Sequence, residues 1–393
     1  MNKHMLRGAA AVIPFAALMA AVPVQAQERV QSGGSGDLTW TARSNLVAPG
    51  RTQGGIGNTP WTSTAPQYSG TVGLLMNGSV CSGTLLRDRQ TILTAAHCVA
   101  GTNGQQDVAD NGVTVFFRTP GAGPDTQFYY GGPGYQTQQS ADIFVHESYT
   151  GDVIDHNDIA LVRLADVAPD FATAYNLYTG EIAGLDMNVT GYGSTSSVGG
   201  AVGVNVSNPN RLGWFRQGLN TYDFALGDDR FENAMGVNAW AAILGEPVSQ
   251  FEYSYWSDFD SGLATNDASC RITQASNFGG EPGLSFCDLG TGLREVGVAG
   301  GDSGGGSFIN GAVASINSYG ITFGANWGDS FTGLNSSYGE FTGYVPVWYH
   351  AGWIGERMLA EVPEPSTWAM LILGFGVVGG SLRRRSKTQL RYA

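Results

Sequence analysis

From residue 71 onward the chain is a succession of short runs rich in Val, Ile, Leu and Tyr, separated by Gly, Asn, Ser and Thr. Runs of four to eight such residues between turn formers predict strands, whereas apolar spacings long enough for amphipathic helices are scarce. Residues 71–76, 83–86, 91–93, 113–117, 159–164 and 187–190 form one set of expected strands, and 294–298, 307–309, 313–316 and 340–347 a second. Fifty-eight glycines and 13% charged residues agree with an all-β chain rich in turns. Residues 195–269 are polar and aromatic-rich, with no strand assignment of their own. Residues 27–69 lack a clear period and read as a pro-segment or loosely held arm, and no repeat of 20–50 residues points to a solenoid or propeller.

The two ends have different chemistry. Lys3 and Arg7, an apolar stretch to Val22 and the small residues of Val24-Gln25-Ala26 read as a secretory signal cleaved after Ala26. Export permits disulfides, and the four cysteines allow three pairings; the sequence-local one, Cys81 with Cys98 and Cys270 with Cys287, closes two similar loops worth roughly 3 kcal/mol each. At the other end, Pro363-Glu364-Pro365 precedes an apolar run from Trp368 to Leu382 and then Arg383-Arg384-Arg385. The run is short for a membrane helix, which needs about 20 residues. The formal charge is -13, and the body between signal and tail carries -18, which disfavours nucleic acid and anionic membrane surfaces as partners.

Three local patterns carry chemistry. Gly300-Gly301-Asp302-Ser303-Gly304-Gly305 surrounds a serine with glycines that let backbone N-H groups converge on an oxyanion. Leu93-Thr94-Ala95-Ala96-His97-Cys98 sets a histidine beside a cysteine, and Asn157-Asp158 heads an apolar run. Serine nucleophile, imidazole base and orienting carboxylate are the three groups of a charge-stabilised acyl transfer. Acids at Asp228, Asp229, Asp258, Asp260 and Asp267 raise the question of a structural calcium ion, although no loop has EF-hand spacing. No other cofactor or metal is expected.

Over residues 56–358 the chain resembles the trypsin/chymotrypsin family of serine proteases: CSGTL at 81–85, TAAHC at 94–98, DIALVRL at 158–164, VTGYG at 189–193 and GGDSGG at 300–305 occur in the family's order. The resemblance implies two packed six-stranded antiparallel β-barrels and a short C-terminal helix. It implies His97 as general base then acid, Asp158 as its orienter, Ser303 as nucleophile, and Gly301 with Ser303 as oxyanion hole. Substrate contacts fall on Gly297, Val298, Ala299, Ser318, Tyr319, Gly320 and Thr342. With no acid among them, and Glu295 two residues beyond the pocket floor, uncharged residues are expected before the scissile bond. Activation in the family pairs a freed amino terminus, here at Ile56 in a segment beginning after residue 55, with the aspartate before the nucleophile, Asp302. Ala299 stands where the family has a cysteine. The tail, residues 359–393, resembles the PEP-CTERM sorting signal, implying a separate hydrophobic helix, a processing enzyme in the inner membrane, and a protein secreted or attached to the outer surface. The expectation is a secreted serine endopeptidase acting on polypeptides, the rival being a catalytically silent binding module of the same fold.

Overall fold

The computed structural model describes residues 29–44, 68–122, 127–128, 134–196, 199–204, 212–275, 278–281, 283–358 and 373–375. The secretory signal, Ile56 and all but three residues of the sorting tail lie outside the described residues. No helix among the described residues is long and apolar enough to cross a membrane.

Period-two patterning accounts for the earliest element, which composition had concealed. Leu38, Trp40, Ala42 and Ser44 alternate with more exposed neighbours, and this face buries in strand β2 (Leu38–Ser44), paired with β1 (Arg29–Ser35) through a turn at Gly36 and Asp37. The Trp40 indole N-H donates to the Ile243 carbonyl at 2.8 Å. Residues 29–44 are therefore a docked hairpin and not a loose arm.

The next six strands form a closed barrel: β3 (Thr71–Met76), β4 (Ser79–Leu85), β5 (Thr91–Thr94), β6 (Thr114–Arg118), β7 (Tyr135–Val145) and β8 (Ala160–Leu164), in the order β3-β4-β5-β8-β7-β6. Asn77 and Gly78, both at positive φ, make the tight β3–β4 turn that strand twist favours. Its core gathers Leu74, Leu85, Ile92, Val115, Phe117 and Leu161. The long stretch between the His97 loop and β8 contains β6 and β7.

The second half is built from β9 (Asp186–Gly191), β10 (Arg216–Thr221), β11 (Phe224–Ala225), β12 (Tyr255–Asp258), β13 (Gly306–Ile309), β14 (Ala312–Thr322) and β15 (Phe341–Pro346). Their order is β10-β9-β13-β14-β15-β12-β11, and β2 joins through β14 to give a nine-stranded sheet with the hairpin. This half-barrel differs in detail from a closed six-stranded one, because the path ends at β10 and β11 and its middle strand accepts an added partner. The unassigned stretch 195–269 supplies β10, β11 and β12 as well as α1 (Ala239–Leu244) and α2 (Val248–Phe251). Trp240 of α1 packs with Trp40, Phe224, Trp256 and Phe341 in a second core. Helix α3 (Ala268–Thr273) is capped by Asp267, and α4 (Ala351–Met358) follows the last strand. Residues 294–298 are not a strand: a turn at Gly292–Arg294 leads into irregular chain with one bridge, between Leu219 and Glu295. Both expected disulfides are formed.

Candidate active site

The close approach of the two halves depends on glycines. A Cβ on Gly304 would lie 2.1 Å from Thr94 Oγ1 and 2.7 Å from the Ala95 nitrogen, so only glycine lets the serine turn abut the histidine loop. Ser82, next to Cys81, ties the same turn down: its N-H donates to the Ser303 carbonyl at 2.8 Å and its hydroxyl to the Gly301 carbonyl at 2.7 Å. The Cys81–Cys98 disulfide then links the strand holding Ser303 to the loop carrying His97.

His97 and Asp158 are joined twice. His97 Nδ1 lies 2.7 Å from Asp158 Oδ2, and the His97 backbone N-H donates to Asp158 Oδ1 at 2.8 Å. The Ser318 hydroxyl donates to Oδ2 at 2.5 Å. Burial alone would raise the Asp158 carboxyl, but His97 and these donors hold it below the usual carboxylate range. His97 Nε2 is buried without a hydrogen-bond partner among the described residues, and no hydrogen bond joins it to Ser303. An ionised carboxylate at Nδ1 favours the tautomer that carries its proton there, which leaves Nε2 as an acceptor.

Gly301 has φ 98°, a conformation that disfavours side chains, and a Cβ there would also meet Leu212 and Gly193. Asp302 turns its carboxylate to the backbone of neighbouring turns, accepting from Gly193 N at 2.7 Å and Ala299 N at 3.1 Å. Gly191 and Gly193 have no room for a Cβ beside its carboxyl, which explains the glycines of the VTGYG run. Arg216 on β10 brings its guanidinium to 3.6 Å from Asp302, both side chains being buried, and also donates to the Gly193 and Ser194 carbonyls. Burial raises the Asp302 carboxyl, with Arg216 and the two backbone donors acting in the opposite direction. Arg216 had no signal in the sequence, being 86 residues from its partner and outside every motif.

The residues assigned to substrate binding divide into two groups. Gly297, Val298 and Ala299 are buried together, Val298 donating to Thr342 Oγ1 at 3.3 Å and accepting from Ser336 Oγ at 2.7 Å. Ser318, Tyr319 and Gly320 lie on β14, where Tyr319 pairs with Ser44 and Gly320 with Arg43 of β2. The edge expected to receive a substrate backbone thus already carries a strand of the chain itself. Tyr319 turns its side chain into the second core, its hydroxyl accepting from Trp256 Nε1 at 2.8 Å. Arg29 anchors the hairpin beside the histidine loop, donating to the carbonyls of Ala100 and Gly151, each at 2.7 Å. Glu295 turns back from the floor and accepts from Asp260 and Ser261 N-H groups. Asp228 and Asp229 lie at a short turn where Asp228 pairs with Arg230, apart from the other acids singled out in the sequence.

A closed antiparallel barrel joined to a half-barrel, with histidine, aspartate and serine motifs meeting between them, defines the trypsin-like two-barrel fold. The family model described as Trypsin matches residues 57–210, and that of the PEP-CTERM protein-sorting motif matches residues 361–385. A curated relative, Protein masquerade of Drosophila melanogaster, is 30% identical over 129 residues, 32% of this chain and 11% of that protein. The chain thus spans about a tenth of the length of the curated relative it matches.

Proposed function

We propose that this chain is an exported serine endopeptidase in which His97 takes the Ser303 proton, Asp158 stabilises the resulting imidazolium, and the N-H groups of Gly301 and Ser303 hold the tetrahedral oxyanion. Ser303 Oγ attacks the scissile carbonyl, His97 returns its proton to the leaving amine, and water reverses the sequence on the acyl-enzyme. The observation that carries this reading is the buried His97–Asp158 pair with a third donor, Ser318, on the carboxylate. A binding module would not need a desolvated, fully hydrogen-bonded carboxylate behind a buried imidazole. Ser303→Ala is expected to remove peptidase activity by several powers of ten while leaving the fold intact by circular dichroism; undiminished hydrolysis would refute the assignment.

The reading includes latency. β2 runs antiparallel to β14 at the edge where a substrate backbone would add a strand, so the hairpin occupies the subsites on the amino-terminal side of the scissile bond. Removal of the hairpin, or a cut in the chain after it, opens the cleft to peptides. Because Arg216 already faces Asp302, the oxyanion turn does not depend on a new amino terminus at Ile56. The floor residues Gly297, Val298 and Ala299 lack a charge to pair with Lys or Arg, so cleavage follows uncharged residues. A peptide library read on the opened enzyme checks this, and dominant cleavage after Arg or Lys would overturn it. The sorting motif supports processing of the tail by a membrane enzyme and release or attachment outside the cell.

A further inference from the structure

Behind the proposed pocket floor, the second half of the molecule buries a group of carboxylates that the catalytic machinery does not use. Asp258 ends β12, Asp260 lies two residues beyond it, and Asp267 caps α3; one carboxylate oxygen from each lies within 4.8 Å of the others, and all three residues are buried. Burying like charges together costs several kcal/mol per ion unless an opposite charge or a proton compensates. The charges acting on them are further acids: Asp223 and Glu295 on Asp258, Asp288 on Asp260 and Asp267.

Part of each carboxylate is satisfied by backbone. Asp258 Oδ2 accepts from Ser269 N, Asp260 Oδ1 from Gly262 N, and Asp267 Oδ1 from Cys270 N. Asp260 Oδ2 differs: the residue is 1% exposed, no N-H or hydroxyl donor among the described residues reaches this oxygen, and the side chain facing the Asp260 carboxylate is another acid, Glu295. Ser261 Oγ, at the next residue, is likewise buried without a partner among the described residues. A buried acceptor without a donor, in a group of converging carboxylates, is what a cation satisfies and what a neutral fold leaves at a cost of about 1–3 kcal/mol.

We propose that Asp258, Asp260 and Asp267 bind one calcium ion, with backbone, hydroxyl or water oxygens completing its shell. The donors are all oxygen, which selects a hard cation over zinc or copper. A spacing of up to 4.8 Å fits within the roughly 5 Å between opposite oxygens of an ion coordinated at about 2.3–2.6 Å. The bound ion also has a mechanical consequence. Asn220 Nδ2 bridges the carbonyls of Asp258 and Val296 at 3.0 and 2.8 Å, and Glu295 accepts from the N-H groups of Asp260 and Ser261. The ion therefore braces residues 295–299 at the position where Ala299 replaces the family's cysteine. This second role rests on the reading of residues 297–299 as the specificity pocket; binding itself does not.

The test uses the exported protein carrying Ser303→Ala, stripped with EDTA and dialysed against calcium chloride. One equivalent of calcium per chain and a rise in Tm of about 4 °C at a hundredfold excess over Kd are expected. Asp260→Asn and Asp267→Asn, which keep an acceptor for their backbone donors, are expected to lose both effects. No retained calcium and no shift in the parent protein would overturn the proposal and leave proton sharing among the acids as the account of the cluster. An undiminished shift in both variants would overturn it by placing the ion elsewhere. If the variants do not fold, the calcium content of the parent decides between one equivalent and none. In active protein, EDTA is expected to raise KM for peptides more than tenfold with kcat less affected; bound calcium without that change would retain the site and refute its link to the pocket.

Discussion

At the scale of single residues, the site depends on a few atoms whose loss has distinct signatures. Ser318 donates to Asp158 rather than acting only through its backbone on substrate. A hydrogen bond to a charged group contributes about 1.5–3 kcal/mol, so Ser318→Ala is expected to lower kcat about 10- to 100-fold. Little change would show that His97 and its own N-H suffice to hold the carboxylate. Arg216→Met leaves Asp302 buried beside two backbone donors but without its cation. Removing one member of a buried pair costs about 3–5 kcal/mol, and here the loss is expected to appear as slow acylation of Ser303 as well as lower stability. Full acylation at an unchanged rate would show that Asp302 is held by its backbone donors alone. The serine, histidine and aspartate motifs were legible because glycines, a cysteine and an apolar run mark them locally. The roles of Arg216 and of the Ser318 hydroxyl were not, because each depends on a partner brought near only by the folded sheet.

At the scale of elements, the barrel strands β3, β5, β6 and β8 were readable because each alternates or runs apolar between strong turn signals. β10 to β12 were not, since Arg216, Asn220, Thr221, Ser257 and Asp258 are polar or charged residues among their buried positions and break any apolar run. The hairpin is the more instructive case: Leu38, Trp40 and Ala42 keep period two inside a segment whose overall composition is that of a linker. Its predicted role can be separated from that of the triad by comparing two substrates. A single-residue ester occupies only the pocket, whereas a tetrapeptide also needs the β14 edge now paired with β2. Trp40→Ala, which removes a buried indole at a cost of about 3–5 kcal/mol, is expected to loosen the hairpin and raise kcat/KM for the tetrapeptide at least tenfold while leaving the ester unchanged. Equal effects on both substrates, or none on either, would argue against occupation of the edge.

At the scale of the whole molecule, buried acids and buried histidines give stability opposite dependences on pH. Burial pushes Glu340 up to about 8 and Asp267 up to about 7, so the folded state holds protons that the unfolded chain releases near pH 4. Their contribution is complete below that range and is lost as pH rises toward 8. Burial pushes His156 down to about 4 and His350 down to about 3, so their contribution is complete above about 6.5 and is lost as pH falls. Between pH 6.5 and 8 only the acids change, and calcium-free protein is expected to lose Tm across that window. Calcium requires ionised carboxylates, so its stabilisation should be larger at pH 8 than at pH 5. Thermal melts at both values, with and without EDTA, check the sign; a larger calcium effect at pH 5 would contradict it.

The central claim is that Ser303 is a nucleophile activated by His97. Its most direct measurement is reaction of the hairpin-opened protein with a fluorophosphonate, followed by mass spectrometry of the peptide containing residues 300–305. The account predicts one adduct, on Ser303, formed at least a thousandfold more slowly in His97→Ala. No adduct on the folded protein, or labelling of Ser303 at the same rate without His97, would contradict it.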